Sequence, residues 1–113
     1  MANCNIELGI NAKGEITVNP IDQDVHQEDT VSFFTLNPYI IFGININNSN
    51  NFFTDPGATI KCEVSFQSSS PSYIINNPTR NLVLDLPKNY DVSIVKIIVP
   101  SITKVAPKII LKP

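Results

Sequence analysis

The 113-residue sequence predicts an all-β fold, a two-sheet antiparallel β-sandwich of eight or nine strands. Three observations carry that expectation. Apolar and polar residues alternate in segment after segment, the period of a half-buried strand. Pro, Gly, Asn and Asp punctuate the chain at intervals of roughly 8–12 residues. β-Branched side chains dominate, with 17 Ile and 9 Val against 6 Leu and 4 Ala, a bias toward pleated rather than helical backbone. A length below ~150 residues predicts a single domain over residues 1–113, large enough to bury a core without a metal or disulfide staple.

The elements follow in order. Ile6, Leu8 and Ile10 alternate with polar or small neighbours, Ala12-Lys13-Gly14 turns, and Ile16 and Val18 resume the alternation, so a hairpin is expected. Pro20 ends it, having no ladder donor. The stretch from Asp22 to Asp29 is polar apart from Val25 and is expected to be a solvated acidic edge segment. Val31, Phe33 and Thr35 share one face of the next strand, and Asn37-Pro38 turns the chain. Tyr39 to Ile46, apolar on both faces around Gly43, reads as a central strand. An Asn-rich loop, Asn47 to Asn51, precedes Phe52-Phe53 and the turn Asp55-Pro56-Gly57. Ile60, Cys62, Val64 and Phe66 then alternate cleanly, followed by a Ser-rich loop. Short strands are expected at Tyr73 to Asn76 and through Leu82, Leu84 and Leu86, with a turn at Asn77-Pro78 between them. Pro87-Lys88-Asn89 reads as a turn, Tyr90 to Val99 as a strand stopped by Pro100, and Pro107 to Lys112 as the last strand after a loop.

Two stretches resemble the cupredoxin-like sandwich. The first is Ile16-Thr17-Val18, then Val25, then Glu28-Asp29-Thr30-Val31-Ser32-Phe33, which is similar to that fold's opening. The second is Tyr90-Asp91-Val92, a loop, and Pro107-Lys108-Ile109-Ile110-Leu111, which is similar to its closing hairpin. The pattern fits an immunoglobulin-like Greek key equally, and the chain is similar to small uncharacterised bacterial proteins of this type. The family's copper chemistry does not carry over. A blue-copper centre needs two His and a Cys, and this chain has His26 alone, with no Cys, His or Met between Pro100 and Ala106.

Charge is uneven: residues 1–57 carry a net −6 and residues 58–113 a net +4, giving −2 overall. With a single Arg and interleaved acids, nucleic-acid binding is not expected. Lys96, Lys104, Lys108 and Lys112 read instead as lysines that keep an edge strand from pairing. No apolar run approaches the ~18 residues of a membrane helix. The start, Met1-Ala2-Asn3-Cys4-Asn5, lacks the basic region and apolar core of a secretory signal, so a cytoplasmic location is the expectation. There Cys4 and Cys62 are expected to be free thiols.

Three candidate sites stand out. Asp22, Asp24, His26 and Glu28 alternate, so an extended backbone would line four ligands on one face for a divalent cation, although a solvated edge is the stronger expectation. Phe52, Phe53 and Asp55, with Tyr39 and Tyr73 beside other polar loops, could form a ligand face, though aromatics also plug sandwich ends. A catalytic triad would have to use His26, and no Gly-x-Ser-x-Gly elbow or phosphate-cradling Gly-rich loop is present. The expected function is therefore non-catalytic and without a cofactor. The first expectation is binding to a protein partner or a second copy, the alternative binding of a carbohydrate or a divalent cation.

Overall fold

Each alternating segment becomes a strand where the opposite sheet can bury its apolar face. The computed structural model describes residues 2–49, 51–55, 57–76, 86–97 and 104–112. Its strands are β1 (Asn3–Ile10), β2 (Ile16–Asn19), β3 (Asp22–Val25), β4 (Thr30–Thr35), β5 (Ile40–Asn47), β6 (Thr59–Val64), β7 (Tyr73–Ile74), β8 (Leu86–Ile97), β9 (Lys104–Val105) and β10 (Lys108–Leu111). One sheet runs in the order β2-β1-β4-β7, the other β3-β10-β8-β5-β6, with the two-residue β9 also pairing β8. The fold is an all-β sandwich. No helix among the described residues is long and apolar enough to cross a membrane.

The core lies between the sheets. Ile6, Leu8, Val31 and Phe33 meet Phe42, Ile44, Ile46 and Val92, all essentially without exposure. Each such side chain contributes roughly 1.5–3 kcal/mol of burial. Tyr90 is buried with them, its ring 5.2 Å from that of Phe33. Its hydroxyl has no hydrogen-bond partner among the described residues, and burial pushes the phenol well above its usual range. A buried, unsatisfied hydroxyl costs about 1–3 kcal/mol. Tyr90→Phe is therefore expected to leave stability unchanged or raise it by about 1 kcal/mol, whereas Tyr90→Ala should cost about 3–5 kcal/mol. A loss above 1 kcal/mol for the Phe variant in urea unfolding would show that the hydroxyl is satisfied.

The structure departs from the sequence reading in several places. Two strand pairs are parallel, β1 with β4 and β3 with β10. Parallel neighbours need a crossover, and the chain supplies it by leaving β2 at Pro20 and entering the other sheet as β3. The expected solvated acidic edge segment is the edge strand β3, with Asp22 and Asp24 exposed and Val25 fully buried. The expected turn Pro87-Lys88-Asn89 lies inside β8. The bond from the Tyr90 N–H to the Pro107 carbonyl sets the phase of the β8–β10 ladder, so residue 87 directs its backbone away from β10. On its other side β5 pairs only from Tyr90 onward, so Pro87 forfeits no ladder bond.

Two further expectations change for the same kind of reason. Lys108 lies on β10, an interior strand between β3 and β8, so it does not guard an edge, and Lys96 pairs with Ile41 of β5 beyond the β8 residues that β10 and β9 pair. The two halves of the chain share a sheet, with Asp22 opposite Lys108, so the charge asymmetry along the sequence is not kept as two separate faces there. The expected loop after Pro100 contains β9, whose register on β8 continues into β10 across Ala106-Pro107. The expected features at Asn77-Pro78, Leu82, Leu84, Pro100 and Pro56 lie outside the described residues.

Candidate binding cleft

The acidic segment does not gather. Asp22 and Asp24 are exposed on β3, but the strand ends at Val25 and the chain turns, with Glu28 in the left-handed region at φ 68°. That turn breaks the alternation that would have aligned four ligands. No group of three or more metal-ligating side chains forms among the described residues. The organising residue is Asp29, buried, whose Oδ1 accepts the Ala2 N–H (2.9 Å) and Oδ2 the His26 N–H (2.8 Å). The His26 Nδ1 lies 3.8 Å from Oδ2. Burial alone would raise the Asp29 carboxyl, but the two backbone donors and His26 outweigh it and hold the group below its usual value.

Phe52 and Phe53 are buried, packed edge to face at 5.1 Å, and Phe53 lies 5.9 Å from the buried Tyr73 ring. They plug the sandwich rather than face solvent. Asn48, which the sequence reading passed over as a loop residue, holds them there. Its Oδ1 accepts the Phe53 N–H (2.9 Å), and its Nδ2 donates to the carbonyls of Phe53 (3.4 Å), Asp55 (3.2 Å) and Gly57 (3.4 Å). Asp55 therefore takes part through its backbone.

The exposed aromatics lie at one end of the sandwich. Tyr39 precedes β5 and is 66% exposed. Phe66 is 55% exposed, although its alternation with Val64 predicted a core position. The reason is local: Ser65 and Ser68 exchange backbone bonds in a tight turn, with Phe66 and Gln67 at its corner, so the strand stops at Val64. Between the two rings opens a cleft of about 390 Å³, lined also by Ile41, Ser65, Gln67 and Lys96. Leu36, 63% exposed, lies on the chain just before Tyr39. The Ser-rich run after Phe66 was the one signal that the strand would end early.

The cysteines lie apart from this cleft's lining. Both are free and partly buried. Burial pushes both thiols up, reinforced at Cys4 by the Asp29 charge, while a hydrogen bond with Tyr73 partly offsets the rise at Cys62. A thiol held protonated is a poor nucleophile. What the fold presents is a cleft of rings, hydroxyl, amide and one cation, suited to noncovalent binding. No family model matches the chain, and a search of curated proteins finds no match.

Proposed function

We propose that this chain is a non-catalytic binding module, a copper-free cupredoxin-like sandwich, and that its Tyr39–Phe66 cleft binds carbohydrate. The strand order supports the cupredoxin-like reading over the immunoglobulin-like one. Constant immunoglobulin sheets order their strands ABED and CFG, with the first strand at an edge, whereas here β1 is interior and parallel to β4.

The observation that carries the binding reading is the pair of exposed rings flanking a cleft with polar groups at hand. Exposed aromatics clustered around a hollow mark binding surfaces. Pyranose rings offer apolar C–H faces to stack and hydroxyl edges for groups such as Ser65, Gln67 and Lys96. Titration of the 15N-labelled chain with millimolar mono- and disaccharides should shift amides of residues 39–41, 65–67 and 96. Tyr39→Ala and Phe66→Ala should each weaken binding about tenfold. Absent shifts, or shifts gathered elsewhere, would reject the cleft. A second copy of the chain is the other reading, favoured by Leu36, exposed three residues before Tyr39. It predicts shifts at these residues on dilution alone, with no sugar added.

A further inference from the structure

We infer that the ligand is a linear, uncharged oligosaccharide that runs from the Tyr39–Phe66 cleft along the outer face of β5, a reading that rests on the cleft as a carbohydrate site. A second hollow, of about 520 Å³, lies over Gly43 and is bounded by Asn45, Lys61, Glu63, Ser93 and Val95. Ile41, which lines the first cleft, and Gly43, which floors the second, are successive outward positions on β5, so the two hollows follow one strand. Strand register arranges the face in rows: Ile41 and Lys96, with Ser65 just past the end of β6, then Glu63, Gly43 and Ser93, then Lys61, Asn45 and Asp91.

Two local features make the furrow. Gly43 carries no side chain, which leaves room for Val95, whose Cγ2 lies 2.7 Å from where a Cβ would stand. The β5–β8 register shifts between Ile41 and Phe42, so Val95 is an extra residue on β8 and stands as a wall over the glycine. From Tyr39 to Asn45 is six residue steps at ~3.3 Å, about 20 Å of furrow, enough for several pyranose units end to end.

The chemistry along it selects the occupant. Rings at one end stack on sugar faces, while Asn45, Ser93, Lys61 and Glu63 offer donors and acceptors to hydroxyls farther along. Lys61 and Lys96 are balanced in part by Glu63, which favours an uncharged chain. An extended peptide would gain little here. The backbone groups of β5 are consumed by β6 and β8 on either side, so the furrow floor offers no strand pairing to a peptide.

Calorimetry of the full chain with gluco-, xylo-, manno- and chito-oligosaccharides, from mono- to hexasaccharide, tests this. In at least one series affinity should rise about tenfold from the disaccharide to the tetrasaccharide and then level off. Asn45→Ala with Lys61→Ala, both at exposed positions, should reduce hexasaccharide affinity to that of the disaccharide. If disaccharides bind at the cleft but affinity ignores length, or the double variant keeps the gain, the furrow is wrong and the cleft stands. If no saccharide binds, both fall. Binding of an extended peptide along the same residues in place of sugars would also overturn the inference.

Discussion

Asn48→Ala should destabilise the protein by about 3 kcal/mol or more, the largest effect expected of any polar substitution here. The residue has no exposed surface, and its side chain ties together the loop that seats Phe52 and Phe53. Truncation strands the Phe53 N–H and removes the donor shared by three carbonyls. Asn48→Asp should be worse at neutral pH, since a carboxylate would face the oxygens of Phe53, Asp55 and Gly57. That environment favours the protonated acid, raising the introduced group's folded pKa above the unfolded value of about 3.9. Stability of this variant is then greatest at low pH and is lost as pH rises through the raised value. Urea unfolding across pH reads this directly, and an Asn48→Asp variant as stable as the parent at neutral pH would rule out the network.

Asp29 should give the opposite pH dependence. Its carboxyl is held below the usual value, so its contribution is present in full above about pH 4 and fades as pH falls through the depressed folded pKa. Two charge-assisted bonds from backbone N–H groups join the start of β1 to the turn before β4. Asp29→Asn keeps the shape but turns an amide NH₂ toward one of those donors, at a cost of about 2–3 kcal/mol at neutral pH. It should also flatten the acid limb of the stability profile. An unchanged acid limb in that variant would assign the pH dependence to other carboxylates.

The two predictions mark what was legible in the sequence and what was not. Alternation located β1, β4 and β5 well, because each buries one face against a continuous opposite sheet and the period survives into the structure. It placed Thr35 inward with Val31 and Phe33, and all three are buried. It failed where one residue's role depends on a distant partner. Pro87 looks like a turn until the end of β5 shows that its missing N–H is not needed. Asn48 looks like any other Asn of its loop, since only the folded carbonyls of Asp55 and Gly57 distinguish it. Of the candidate site, Tyr39 was visible among the expected loop aromatics. Phe66 and Lys96 were not, because a tight turn exposes the first and strand pairing brings the second beside it. The acidic alternation gathers no ligand set, as the stronger expectation had it, because a periodic pattern aligns ligands only while the backbone stays extended.

The parallel seam between β3 and β10 bears on how this chain reaches its native state. Asp22 lies against Lys108 and Val25 against Leu111, so an early-made segment must wait for one translated much later. Ring closure over so long a stretch is entropically slow, and topologies rich in distant partners fold in milliseconds to seconds rather than microseconds. During synthesis β3, an edge strand whose sheet partner is β10, therefore emerges unpaired, exposed to chaperones and proteases. Truncation before Lys108 would leave it permanently so.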